Sequence, residues 1–549
     1  MERISAEMKP QSMMDFPEAN AFNWLSKNGG MLAQQGTGLN GKRITIIGGG
    51  QTGLFMAIHL AKAGGNVCVL EADSTSQGRA ETHVFCDGSK APLGMMRYGR
   101  GQAIFGHLVQ ELGYVMKSHF PDPGVVPTLI HYDDQTREWN DIQTVPEGLE
   151  KVHKHFSDFL LNGWGGLEGW ENIRTFLQTE QSDRAAQATQ AWIDRFRDAT
   201  FGSAFREIFE DVWNDDDFRS FDTIGVGSGG FGVLNDVSLF AVMRVIVNGF
   251  EDKQCSIGKF NGYEVIDAAP DDMIEALSEH AIECGVQLYM DTPVTSVTHN
   301  GQFHEVRTST GIAMGADIVV CTTTLHALIR IQGLSSLLGD VYSSSENLPA
   351  DVRSGKLFAL IDASDIPEIH EPDFPRMLLS RLITPQIYML PGKTPCKCVL
   401  LMWYGWQKAY DDLASMSNAD LMEECIRVAK KVVEGTKYET SWNNILNNVV
   451  EISAIRWQGH NWAGSAFSIP DPQDNEKLRD ASFLWGNGGE IKGPTFLASA
   501  DLQGAGGWNE GGYMQGAVVL SAILKKYGIL HKAHIAPCNL LKKETLNFG

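Results

Sequence analysis

One short stretch restricts this chain's fold more than any other. Residues 43–71 read RITIIGGGQTGLFMAIHLAKAGGNVCVLE. An apolar strand, ITIIG, runs into Gly48-x-Gly50-x-x-Gly53, a helix is predicted over 54–63, and a second strand ends on Glu71. A strand with no polar alternation suits a parallel sheet covered on both faces. Glycines at this spacing permit the tight turn, the approach of backbone to a pyrophosphate and close helix packing. The helix N-terminus then faces phosphate charge, and an acid about twenty residues on accepts from ribose hydroxyls. The segment therefore predicts a dinucleotide site built from Gly48, Gly50, Gln51, Thr52, Gly53, Glu71 and Ala72.

A single core does not accommodate 549 residues, so two or three domains are expected. The expected class is α/β (α+β overall), a discontinuous Rossmann-like nucleotide domain with an inserted substrate-binding domain of mixed sheet and helices. Nucleotide-domain pieces are assigned to 41–110, 252–335 and 480–530, because buried strands recur in ADIVVCTTT and TFLASAD. Residues 111–251 are predicted as a helical substrate or lid region. Trp192, Ile193, Phe196, Phe201, Phe205, Ile208, Phe209 and Val212 recur there at helical spacing. Residues 336–479 alternate strands such as KLFALI and CKCVLLMWYG with a helix, and form the substrate domain. QLYMDTPVTSV and EVRTSTG read as antiparallel strands. Residues 1–40 and 531–549 are read as a leader and a tail.

Further motifs carry chemistry. Gln77-Gly78-Arg79 places an arginine just after the ribose acid. In Gly94-Met95-Met96-Arg97 the guanidinium offers a two-pronged donor for a carboxylate. Gly225–Gly230 is glycine-dense enough for close backbone approach to a ligand, or for a plain loop. Lys356 enters the apolar strand SGKLFALI, where an ammonium is costly unless paired, functional or snorkelling at the strand end. Near the C-terminus Asp501 ends a strand, and a helix is predicted from the glycine pair at Gly511-Gly512. Such a helix can turn its positive end towards an anionic ring.

In this order the motifs resemble the flavin amine-oxidase superfamily. The resemblance tightens to the tryptophan 2-monooxygenase and L-amino-acid oxidase branch in Gly94–Arg97, FPDPGVVPTLIHY (120–132), DATF (198–201), IGVGSGGF (224–231), IVNGF (246–250), GKLFAL (355–360) and GGW/GGYMQGA (506–517). It spans roughly residues 40 to 525. It implies noncovalent FAD, held also by Arg79, Gly94, Met95, Met96, Arg97, Val294, Asp501, Gly512, Tyr513 and Met514. It implies that Arg97 pairs with a substrate carboxylate and that Lys356 sits near flavin N5. Hydride passes from the substrate Cα–H to flavin, and O2 reoxidises it, giving either an amide and CO2 or a 2-oxo acid, ammonia and peroxide. A homodimer is also implied. Gln77 departs from the family's double glycine. The C-terminal motif aligns either on Gly506–Gly511 or, better with the predicted helix, on Gly511–Ala517, so the residue over the flavin is Trp508 or Tyr513. Leu234, Phe240, Phe250, Trp457, Trp462 and Phe467 are candidate pocket residues for a large neutral side chain such as tryptophan or phenylalanine. An amine oxidase acting on a non-carboxylate amine, or a non-catalytic flavoprotein, is the alternative.

Other classes find little support. A formal charge of −22 opposes nucleic-acid binding and docking to anionic membranes. No run of roughly eighteen apolar residues predicts a spanning helix. No local motif supports a metal site or a serine hydrolase. The scattered cysteines and the polar N-terminus predict a cytoplasmic protein with reduced thiols.

Overall fold

The computed structural model describes residues 38–99, 103–114, 116–118, 126–140, 145–179, 181–224, 231–243, 263–266, 269–338, 351–469, 494–502, 507 and 509–527. The fold is mixed α/β, organised around two large sheets.

The first sheet has five strands in spatial order Gln287–Tyr289, Asn66–Leu70, Arg43–Ile47, Ile318–Cys321, Thr495–Leu497. All four pairings are parallel. Chain order reverses direction beside Arg43–Ile47, and ligands of open α/β sheets bind outside the carboxyl ends of strands at such a switch. QLY is therefore a parallel edge strand, not the antiparallel one expected. Val294–His299 does pair antiparallel with His304–Thr308.

The helix Gln51–Lys62 covers this sheet and is covered in turn by the helix Asn509–Lys526. Small residues allow the two helices to approach. A Cβ on Gly516 would lie 3.3 Å from Phe55, Met56 and Thr52 side-chain atoms. The contact buries Phe55, Met56 and Tyr513, each worth about 1.5–3 kcal/mol of transfer free energy.

The second sheet has seven strands, in order Val449–Arg456, Ser354–Asp362, Lys397–Trp406, Gln386–Pro391, Met377–Ser380, Thr128–Tyr132, Gln135–Trp139. Two of them come from the interval read as helical. Asp133 and Asp134, at φ 50° and 53°, close a tight hairpin between Thr128–Tyr132 and Gln135–Trp139. Beyond it the interval is helical, from Glu150–Asn162 to Asp215–Thr223. Its core is aromatic: Phe156, Phe159, Phe205, Phe221 and Phe231 pack ring against ring. Val212 departs from the expected stripe and is 47% exposed, because its helix, Phe201–Phe209, has already ended. Helix Asn418–Val433 covers the sheet's other face. Among the described residues no helix is long and apolar enough to cross a membrane.

Candidate active site

A cleft of about 1750 Å³, its open mouth included, runs from the carboxyl ends of the parallel strands to the second sheet. Gly48 sits at φ +106°, and a Cβ there would stand 2.8 Å from Thr322 Oγ1. A Cβ on Gly53 would stand 2.0 Å from Gly48 O, so the turn closes only with glycine. Around Gly50 there is open space, and the helix it heads has no side-chain cap. The first N–H groups of that helix thus face the cleft without an acceptor from a capping side chain, the arrangement that binds phosphate.

Glu71 lies beside this turn. Gly49 N–H donates to its Oε2 (2.6 Å) and Asp73 N–H to its Oε1 (2.9 Å). Burial nevertheless pushes the carboxyl above its ordinary range. Ala72, Val294, Gln51, Thr52, Met95 and Gly512 complete this part of the lining. Gln51 Nε2 donates to Met95 Sδ (3.0 Å).

Arg79 reaches across the cleft. Its Nη1 donates to Asp501 Oδ1 (2.7 Å) and Ala466 O (3.3 Å), while Leu325 N–H donates to Asp501 Oδ2 (3.0 Å). A Cβ on Gly94 would stand 2.1 Å from Arg79 O, so this glycine is what lets the Gly94–Arg97 loop cross the Arg79 backbone.

Lys356 is 3% exposed at the far end. Its Nζ donates to Pro92 O (3.1 Å) and to Gly94 O. The ammonium position lies 4.9 Å from the Tyr404 ring centroid, and the two residues are cross-strand partners. Burial, reinforced by the nearby Arg97 charge, holds the Lys356 pKa well below the lysine range. Arg97 stands beside Tyr404, whose own pKa is raised by burial and lowered by the Arg97 charge. Arg97 is not itself in the cleft lining; it stands behind Tyr404 and Lys356, which are.

A β-bulge sets this geometry. Phe358 pairs with Leu401 but Leu357 with Trp403, so Met402 is an extra residue on the second strand. Without the extra residue, alternation would turn Trp403 towards the cleft. With it, Trp403 packs beneath the sheet and Tyr404 joins Lys356.

Other predicted residues fall elsewhere. Trp462, 39% exposed, lines the mouth, and Trp457 and Phe467 line the wall. Leu234, Phe240 and Met96 lie in the aromatic core and not in the lining. Phe250 and Trp508 lie outside the described residues, as does the glycine run at 225–230. The C-terminal helix begins at Asn509, not at the Gly511-Gly512 pair. Tyr513 and Met514 are consequently buried in the helix interface, where Tyr513 O–H donates to Gln51 Oε1 (2.6 Å). The helix start therefore suits the alignment on Gly506–Gly511. Glu510 accepts from Ile104 N–H (2.9 Å) and Phe105 N–H (3.0 Å), holding the start of helix Ala103–Glu111.

Sequence reasoning did not single out Tyr404, Glu510 or Asn509. The three threonines after ADIVVC were also not singled out. Thr322 Oγ1 donates to Gly48 O (2.8 Å) and Thr324 Oγ1 to Ala463 O (2.7 Å), which tie the sheet to the wall.

The chain resembles proteins of known activity. It is 27% identical over 542 residues to the tryptophan 2-monooxygenase of Allorhizobium ampelinum, covering 92% of this chain and 71% of that one. It is 32% identical over 236 residues to the tryptophan 2-monooxygenase of Pantoea agglomerans pv. gypsophilae, covering 40% of this chain and 42% of that one. Its fold matches a putrescine oxidase variant at TM-score 0.65, with 14% identity over 88% of this chain and 99% of that one. The wild-type putrescine oxidase bound to putrescine matches at TM-score 0.64 with the same identity and coverage. The model of the flavin containing amine oxidoreductases matches residues 52–518, and the chain belongs to that family.

Proposed function

We propose that the protein is an FAD-dependent L-amino-acid 2-monooxygenase or oxidase acting on a large neutral or aromatic amino acid such as tryptophan or phenylalanine. One arrangement carries the reading: Arg97 stands beside Tyr404, and Tyr404 faces the buried Lys356 across adjacent strands. A cation suited to a carboxylate thus stands directly behind a wall that carries Tyr404 and a lysine of depressed pKa. The tryptophan 2-monooxygenases among the relatives support the same substrate class.

The residues present fit FAD, held noncovalently. The uncapped helix start beside Gly50 suits a diphosphate, and Glu71 suits a ribose. Once bound, the flavin supplies the acceptor for the substrate's two electrons and their later donor to O2. The chain's own residues orient and dry the site. Arg97 fixes the substrate by its carboxylate. A neutral Lys356 amine donates to two backbone carbonyls and keeps its lone pair for a proton at Nζ. Tyr404 and Trp457 wall the site against water.

Mixing the purified flavoprotein anaerobically with L-amino acids and with their decarboxylated amines tests the reading. Tryptophan or phenylalanine should bleach the flavin absorbance, and tryptamine or phenethylamine should not. Bleaching by the amines alone would replace it with an amine oxidase. The aerobic product, amide or 2-oxo acid, then separates monooxygenase from oxidase.

A further inference from the structure

Beyond strand Val449–Arg456 the cleft wall is a short segment, residues 457–466. Its start is fixed at the Lys356 end, because Ile455 and Arg456 pair with Lys356 and Gly355. Trp457, His460, Trp462, Ala463 and Ala466 line the cleft. Other elements hold the segment by its carbonyls. Arg330 Nη1 donates to Asn461 O (2.6 Å), Thr324 Oγ1 to Ala463 O (2.7 Å) and Arg79 Nη1 to Ala466 O (3.3 Å). Two of its N–H groups are held from within, by a single atom. Trp462 N–H (3.3 Å) and Ala463 N–H (3.0 Å) both donate to His460 Nδ1.

An Nδ1 that accepts two N–H groups carries no proton, so His460 is the neutral ring protonated on Nε2, which lies 3.3 Å from Glu81 Oε2. The same ring lies against Trp457, with centroids 5.3 Å apart. One side chain therefore joins the loop after Arg79, the wall ring beside Lys356 and the mouth at Trp462. A second proton would remove Nδ1 as an acceptor and strengthen only the contact with Glu81. The other charged or titratable groups around the segment are already engaged. Arg79 pairs with Asp501, and Arg330 Nη2 donates to His326 Nε2 (2.9 Å). His326 packs on Gly464, where a Cβ would stand 2.0 Å from its ring.

We propose that His460 is a positioning residue for the substrate: as the neutral ring it holds Trp457 and the mouth segment in place along the cleft, and its protonation loosens the segment and weakens substrate binding. The substrate half of this inference rests on the proposed amino-acid chemistry; the hold on the segment does not.

Hydrogen–deuterium exchange of the holoenzyme tests the hold, read by mass spectrometry on peptides covering the segment and corrected for the intrinsic rate at each pH. Wild type, His460→Asn and His460→Leu are compared at pH about 8 and about 5.5, across which imidazole changes charge. Asparagine keeps an oxygen that accepts from backbone N–H groups just ahead of it and does not titrate. Loss of two backbone hydrogen bonds corresponds to about a tenfold loss of protection. Wild type should lose that much at the lower pH and His460→Asn should lose none, while His460→Leu should be unprotected at both. An equal loss in wild type and His460→Asn assigns the effect to His326 and overturns the proposal, as does full protection in His460→Leu. Stopped-flow flavin reduction then tests the positioning role. Between the same pH values the apparent Kd of the reducing amino acid should rise about tenfold more in wild type than in His460→Asn, while the limiting reduction rates change in parallel. Equal rises in Kd overturn the positioning role. If only amines reduce the flavin, the proposed function fails and an amine takes the amino acid's place in the same comparison, with the same outcomes.

Discussion

Arg79 and Asp501, 422 residues apart in sequence, form an ion pair across the cleft with Nη1 2.7 Å from Oδ1. The aspartate side chain is 1% exposed and the arginine 22%. Two groups expected to serve the cofactor separately are therefore already joined, and together they tie the loop after the ribose acid to the last parallel strand. Asp501→Ala strands the guanidinium and the Leu325 N–H, and should cost about 1–3 kcal/mol, below the value for a fully buried pair because Arg79 is partly solvated. Urea denaturation reads the loss. Asp501→Asn, which retains an acceptor, should recover part of it. A variant as stable as wild type would show that the bridge is incidental.

Glu510 makes a similar long-range tie. Its two oxygens cap the start of helix Ala103–Glu111, six residues beyond Arg97. Glu510→Ala leaves two buried N–H groups without their acceptor and should cost about 2–4 kcal/mol. Glu510→Gln keeps one acceptor and should cost about half as much. The comparison is made from urea midpoints at constant m-value.

These ties explain what could and could not be read from the chain alone. The nucleotide turn was legible because its reasons are local: Gly48 needs its positive φ, and Gly53 touches Gly48 O. The last helix was not, since two glycine pairs five residues apart satisfy the same local pattern. What selects Asn509 as its start includes the docking of Glu510 on a segment over 400 residues away in sequence. Tyr404 was hidden for another reason. In CVLLMWYGW every position is apolar or aromatic, so alternation cannot say which ring faces the cleft. The extra residue at Met402 decides it, and a bulge in such a run leaves no mark in the sequence.

Lys356 makes a prediction about pH. Burial and the Arg97 charge hold its folded pKa well below the ordinary 10.5 of lysine. The unfolded chain therefore binds more protons between those two values, and folding stability must rise with pH across that window. Lys356→Met removes the term. Its stability, measured by urea at a series of alkaline pH values, should gain less than wild type does up to pH 10.5. Parallel curves would mean that Lys356 is protonated in the folded protein.

Arg97 separates recognition from electrostatics. Its guanidinium has two tasks in the proposed site: a two-pronged grip on the substrate carboxylate, and a positive charge that keeps Lys356 neutral. Arg97→Lys retains the charge and loses the fork, whereas Arg97→Met loses both. The loss of a charge-assisted fork is worth about 2–3 kcal/mol, so Arg97→Lys should weaken apparent amino-acid binding about a hundredfold. The decarboxylated amine has no group for the fork to hold, and its binding should not change. Arg97→Met should weaken amino-acid binding at least as much and also raise the Lys356 pKa, moving the acidic limb of flavin reduction by the substrate, on which Lys356 loses its proton, to higher pH. Stopped-flow reduction across pH, with amino acid and amine in parallel, reads both effects. Equal losses for amino acid and amine would remove Arg97 from carboxylate recognition and leave it a purely electrostatic neighbour of Lys356.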